Sequence, residues 1–116
     1  MKTDYTAVPE AKMAALFNLL TGVPGVAYRN EDLRMRLGLG KREVELIVQA
    51  LRVRWGAPIR SGSAGYWWPR DRAEALLVAD ELRERALTQH RTEGAVRRGV
   101  DFYFPASISQ MELTEV

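Results

Sequence analysis

Apolar residues recur at intervals of three and four along the first half of the chain, the spacing that places side chains on one face of a helix. The first set is Met13, Leu16, Phe17 and Leu20. The second is the pair Leu33 and Leu37, and the third is Val44, Ile47, Val48 and Leu51. The pattern predicts three amphipathic helices, which begin near Pro9, Asn30 and Lys41 and end before Gly22, Gly38 and Gly56.

The pattern changes after Gly56, where Pro58 prevents the third helix from continuing. Two short runs follow, Ile59-Arg60 and Tyr66-Trp67-Trp68, with only small residues over 61–65 between them. Small residues between two such runs are typical of a β-hairpin, so we predict one over 59–68. Side chains alternate along a strand, and one of the two neighbouring tryptophans should therefore pack in the core.

A long helix is predicted after the hairpin, because Asp71 and Glu74 have the spacing of an N-terminal capping box. Its apolar stripe is Leu76, Ala79, Leu82 and Ala86, and Gly94 and Gly99 are its candidate ends. Two interpretations of the stripe stay open: the helix packs back on the preceding elements, or residues 71–91 form a homodimer with a second copy. Residues 100–116 contain three acidic and no basic residues, which predicts a flexible acidic tail.

Composition excludes several kinds of site. The chain has 116 residues and no cysteine, which excludes disulfides and thiolate metal sites. The single histidine, His90, rules out a multi-histidine zinc site, and no nucleophile is spaced around it. We therefore expect no enzyme, no metal and no cofactor. No apolar run is long enough for a membrane span or a signal-peptide core, so we expect a cytoplasmic protein.

Charge is distributed unevenly along the chain. All 17 Lys and Arg residues and 12 of the 15 acidic residues precede position 100, so the chain before the tail is basic although the net charge is only +2. A basic body is compatible with binding to nucleic acid. Arginine outnumbers lysine, and its planar guanidinium pairs with phosphates and guanine edges, but such a bias also arises from a GC-rich genome.

The order of elements from Asn30 to Trp68 resembles the winged helix-turn-helix domain of the biotin-repressor type. The likeness lies in the leucine pair Leu33 and Leu37, the turn Gly38-Leu39-Gly40, the segment Gln49-Ala50-Leu51-Arg52 and the wing sequences Pro58-Ile59 and Gly65-Tyr66. It covers roughly residues 10–70 and does not extend to a ligase domain. The expected fold is mainly α with a small β-hairpin: a winged helix-turn-helix domain over 1–70, a C-terminal helix over 71–99 and a tail over 100–116.

This arrangement implies binding to double-stranded DNA, with helix 41–55 in the major groove and wing 59–68 on the backbone. The candidate contacts on the helix are Lys41, Arg42, Glu45, Gln49 and Arg52, and those on the wing are Arg60, Ser61 and Ser63. Gln49 has the groups to pair with adenine, whereas Arg52 is better suited to phosphate. The expected role is a transcriptional regulator or a DNA-recognition factor of phage or mobile-element type.

A second interpretation is a winged helix that contacts protein and not DNA. Glu45 and Leu46 favour it, because a carboxylate near phosphates weakens DNA binding and an outward leucine suits a protein partner. The same polar residues on the third helix would then be an ordinary solvated face.

Overall fold

The computed structural model describes the backbone of residues 5–85 and 90–106 and the side chains of 5–83 and 92–106. Within these ranges the elements are α1 (Glu10–Thr21), α2 (Asn30–Leu37), α3 (Lys41–Arg54), β1 (Arg60–Gly62), β2 (Gly65–Trp67), α4 (Arg72–Arg85) and α5 (His90–Tyr103), with a 3₁₀ turn, Tyr5–Ala7, before α1. The mainly helical fold with one small hairpin is confirmed, and the order of its elements is that of a winged helix with further C-terminal helices.

The main core lies among α1, α2 and α3 and contains the predicted apolar stripes. Met13, Leu16, Leu20, Leu33, Val44, Ile47 and Leu51 are fully buried. Each such side chain contributes roughly 1.5–3 kcal/mol relative to an exposed one, which is why the apolar period alone predicts these three helices. Burial of this stripe leaves the opposite face of α3 outward.

The turn between α2 and α3 depends on Gly38. Its backbone is left-handed (φ 67°, ψ 43°), a conformation that glycine adopts without steric cost. The next residue, Leu39, donates its N–H to the Arg34 carbonyl at 3.0 Å and so closes the end of α2. The chain reverses within three residues, and α3 begins at Lys41 as predicted.

The wing is a two-stranded antiparallel hairpin in which Arg60 pairs with Trp67, Ser61 with Tyr66 and Gly62 with Gly65. Its tip is narrower than the predicted 61–65, because only Ser63 and Ala64 connect the two strands. Tyr28 adds a single bridge on the other side of β2, through two 2.8 Å hydrogen bonds with Tyr66. These bonds attach the wing to the segment just before α2.

Trp68 is the tryptophan that packs inward, with only 7% of its surface exposed. Its ring lies edge-on to Phe17 at 5.4 Å and to Tyr103 at 5.3 Å, and it stacks on Phe104 at 5.8 Å. The expectation that one tryptophan is core is confirmed. Tyr103 and Phe104, at the start of the predicted tail, belong to the same cluster, so the segment 100–104 is part of the folded chain.

The C-terminal part differs from the single helix that the sequence predicts. It forms two antiparallel helices, with Val78, Ala79 and Leu82 of α4 packed against Val96 and Val100 of α5. Gly94 and Gly99 suggested helix ends but lie inside α5. The expectation of a flexible tail from residue 100 is wrong for 100–103, which are helical. Residues 107–116 of that predicted tail lie outside the described residues.

The start of α4 is capped as its sequence predicts. The Asp71 carboxylate accepts the N–H of Glu74 at 2.8 Å, whereas the Glu74 carboxylate accepts the N–H of Arg70 at 2.7 Å. The stripe behind this cap faces α5 of the same chain, a partner that neither interpretation named, and α5 covers the surface predicted for a homodimer through residues 71–91. Ala86, the last member of that stripe, lies outside the described residues.

Candidate nucleic-acid interface

The N-terminal end of α3 is fixed by contacts to α1 and α2. The Glu43 carboxylate accepts the N–H of Gly40 at 3.1 Å and is paired with Lys12 of α1. The Lys12 hydrogen bond, helped by the Gly40 N–H, holds the pKa of the Glu43 carboxyl below its ordinary value. Asn30 donates its side-chain amide to the Lys41 carbonyl at 3.4 Å. The first turn of α3 is therefore held by both preceding helices.

Four of the predicted contact residues are exposed on α3: Lys41, Arg42, Glu45 and Gln49. Lys41, Glu45 and Gln49 are spaced by four residues and so form one line along the helix. Arg42, Glu45 and Gln49 also line a shallow hollow of about 200 Å³. We call these four residues the outer face of α3. It presents two cations, one carboxylate and one amide to an approaching partner.

Arg52 has structural partners in the wing. Its Nε and Nη2 donate to the Ile59 carbonyl at 3.1 and 2.6 Å, and Nη2 also approaches the Ser61 hydroxyl at 3.3 Å. Two donors of one planar guanidinium meet the same carbonyl, a geometry that lysine cannot reproduce. The sequence assigns Arg52 to phosphate. The structure instead joins it to the strand that carries Ser61.

Arg60 is held by α4. Its guanidinium lies 3.4 Å from the Glu74 carboxylate and 2.8 Å from that of Glu81, and it covers the Trp67 ring at 5.2 Å. The Arg60 side chain is only 19% exposed. The predicted phosphate contact would require exchange of these partners, and we therefore interpret Arg60 as the link between wing and α4.

Ser61 and Ser63 occupy different environments. Ser61 is partly covered and receives the Arg52 contact, whereas Ser63 is exposed at the tip of the hairpin. Both line an open cleft of about 450 Å³ together with Arg29, Asn30 and Tyr66. Arg29 and Tyr66 were not predicted as site residues. Arg29 immediately precedes α2 and follows Tyr28, which pairs with the wing.

The α4–α5 pair borders the outer face of α3. Leu82 and Thr92 line a cleft of about 480 Å³ whose opposite wall includes Glu45 and Gln49. No local sequence pattern predicts this neighbour, because the contact joins residues more than thirty positions apart. Ser61 and Tyr66 of the wing line the same cleft, so a partner that lies on this part of α3 would meet the wing and this pair of helices together.

Leu46 is only partly exposed and packs against the core, although it also lines the hollow beside Arg42, Glu45 and Gln49. It covers the 3₁₀ turn and the start of α1, beside Val8 and Pro9. Glu45 and Leu46 are the two residues that distinguish this helix from a recognition helix with a basic outer face, and of the two only Glu45 is exposed. A single carboxylate between Arg42 and Gln49 is compatible with an acceptor for a cytosine amino group.

Comparison with known protein families, curated proteins and solved structures gives no match for this chain. Among residues 5–85 and 90–106, no helix has the length and apolar character needed to cross a membrane. In the same ranges no three His, Cys, Asp or Glu side chains lie close enough together to hold a metal ion. The His90 side chain lies outside the described residues.

Proposed function

We propose that this chain is a DNA-binding protein of the winged helix-turn-helix class. The observation that carries the proposal is the outer face of α3, where the polar side chains of Lys41, Arg42, Glu45 and Gln49 project together from a helix whose opposite face is core. An α-helix is about 10–12 Å wide with its side chains, and the major groove of B-DNA is about 12 Å wide.

In this proposal the four residues read base edges from the first three turns of α3. Lys41 and Arg42 offer donors to guanine, Gln49 pairs with adenine through its amide, and Glu45 accepts from a cytosine amino group. The resemblance of Asn30–Trp68 to the biotin-repressor type of winged helix supports the same orientation. Transcriptional regulation, or DNA recognition in a phage or mobile element, is the expected use.

The wing takes a modified role in the proposal. Ser63 and Arg29 border the cleft beside the wing and suit contacts to backbone phosphates, which position a protein without reading sequence. Arg52 and Arg60 hold the wing against α3 and α4. They therefore act on DNA through the position of Ser61 and Ser63.

A titration of labelled, pooled duplex tests the proposal. At low ionic strength the full chain should bind, and the logarithm of the affinity should fall linearly with the logarithm of the salt concentration. A selection from random duplexes should then enrich one sequence. Absence of binding to pooled duplex at low salt would contradict the proposal.

A second candidate is a protein-binding winged helix, and one observation favours it. Met35, on α2, is 82% exposed, more than any other large apolar residue described. With Leu46 partly buried, Met35 is the better probe of this alternative. Loss of a protein partner in Met35→Asp, in a chain that never binds duplex, would support it over DNA binding.

A further inference from the structure

Phe102 stands out on the surface of α5. It lies in the last turn of the helix and is 78% exposed, although its neighbours Tyr103 and Phe104 pack on Trp68. Its ring lies edge-on to the Tyr103 ring at 4.9 Å, so it has a fixed support and projects outward from it. A large aromatic ring held outward in this way is typical of a contact residue.

A hollow of about 240 Å³ lies directly beside this ring. Its floor is formed by Gly56, Ala95 and Gly99, and Val53, Arg54 and Trp55 form the wall on the α3 side. The floor is bare because the Gly56 backbone contacts Gly99, where no Cβ fits. We call Phe102, the hollow and the neighbouring Arg98 and Asp101 the Phe102 face.

The Phe102 face is complementary to itself in shape. It contains a projecting ring and, next to it, a hollow whose lining includes Arg54 and Arg98, guanidinium groups on which an aromatic ring can stack. A two-fold axis between the ring and the hollow would place the ring of each chain in the hollow of the other, as an isologous interface requires. A foreign partner would need only one of these two features, whereas a second copy uses both.

The face is also complementary to itself in charge. Arg98 is exposed one turn before Phe102, and the Asp101 side chain is 73% exposed on the other side of Arg98. Asp101 accepts one bond from Arg72 at 2.8 Å through Oδ1, and a carboxylate accepts further bonds. In an antiparallel pair of α5 helices, Arg98 of one chain approaches Asp101 of its partner.

We propose that two copies of this chain form a two-fold symmetric dimer through the Phe102 face. The interface differs from the apolar stripe of α4, which is covered by α5 within one chain. The dimer does not rest on the proposed function and would exist without DNA. If the chain also binds DNA, the dimer would present two α3 helices related by two-fold symmetry and would favour a palindromic DNA site.

The solution mass of the full chain, measured without DNA by sedimentation or light scattering over a range of concentrations, tests the proposal. The wild type should move from the chain mass of 13.1 kDa towards twice that value as concentration rises. Phe102→Asp should weaken the dimer by about 100-fold or more, as loss of a central aromatic contact does. Leu77→Asp, at an apolar residue that is exposed on α4, should leave the dimer unchanged.

Charge variants give a second, independent test of the dimer. Arg98→Glu should weaken the dimer, and Arg98→Glu with Asp101→Arg should restore it, because the pair reforms in the opposite sense. Circular dichroism checks that each variant is folded; if Phe102→Asp does not fold, the charge variants decide. The proposal would be overturned by a wild type that stays monomeric at all concentrations. This includes a monomer whose Phe102 face is covered by the chain's own C-terminal segment or by another protein. A dimer that is as stable in Phe102→Asp and in Arg98→Glu as it is in the wild type would also overturn the proposal.

Discussion

The backbone of Gly56 touches α5 at Gly99, and a Cβ at position 99 would overlap the Gly56 carbonyl. Gly56 itself is left-handed (φ 65°) and turns the chain from α3 towards the wing. The C-terminal helices are thus docked on the winged helix by a contact of backbone on backbone. Nearby, the Tyr103 hydroxyl donates to the Trp55 carbonyl at 3.2 Å.

Gly99→Ala should therefore destabilise the fold. The added methyl cannot be accommodated without separation of α5 from Gly56, and overpacking of this kind costs about 1–3 kcal/mol, more than the helix propensity gained. Gly94→Ala, in the same helix, is the matched control, since its nearest neighbour is the Arg98 side chain at 3.5 Å. It should raise the free energy of unfolding by about 0.5–1 kcal/mol. Denaturant unfolding measures the free energy of unfolding of both variants. Equal changes in that free energy would contradict the contact between Gly56 and Gly99.

Arg52 should act on stability and wing position. Arg52→Lys loses the double donation to the Ile59 carbonyl and should lower the free energy of unfolding by about 1.5–3 kcal/mol, the range for a hydrogen bond that involves a charged group. Gln49→Ala, one turn earlier and exposed, should change stability by less than about 0.5 kcal/mol. An Arg52→Lys protein as stable as the wild type would contradict the structural role of this contact.

Glu74 should contribute stability that is lost in acid. The Arg70 N–H, followed by the charges of Arg70 and Arg60 and a bond from Trp67, lowers the pKa of the Glu74 carboxyl in spite of partial burial. A carboxyl whose folded pKa is lowered stabilises the fold above the unfolded pKa, about 4.3 for glutamate. That contribution disappears as pH falls through the lower folded value. The free energy of unfolding of Glu74→Gln should therefore depend less steeply on pH below about 4 than that of the wild type.

Denaturant unfolding between neutral and acid pH measures this difference, with Glu31→Gln, an exposed carboxylate on α2, as the control. The Glu74→Gln and wild-type curves should approach each other at low pH, because both side chains are then uncharged. A constant offset between them at every pH would contradict the assignment of this carboxylate as an ionised partner of Arg60 and Arg70.

Local pattern predicted the parts of the fold that local physics determines. The stripes of α1 and α3, the left-handed Gly38 turn and the Asp71 cap each depend on residues within one or two turns. The α5 helix was missed because its glycines suggested helix ends, and the reason for Gly99, contact with Gly56, lies more than forty positions away. The limits of the flexible tail were missed for a similar reason, since Tyr103 and Phe104 pack on Trp68.

The residues of the candidate site also differ in whether local pattern or distant contacts determine their position. The outer face of α3 follows from the position of its buried stripe, so Lys41, Arg42, Glu45 and Gln49 were placed from the sequence. The partners of Arg52 and Arg60 are in the wing and α4, and only the folded chain brings them together. Arginines that look alike in sequence thus have different roles in the structure.

The central claim, that the outer face of α3 binds DNA, is tested most directly by the salt dependence of duplex binding in Lys41→Ala/Arg42→Ala. The wild type should bind with an affinity that falls steeply with salt, and the double variant should bind about 100-fold or more weakly with a shallower slope, because two cations are lost from the groove. Arg70→Ala, which removes one exposed charge away from α3, should match the wild type more closely than Arg42→Ala does. Equal affinity and slope in the wild type and the double variant would contradict the claim.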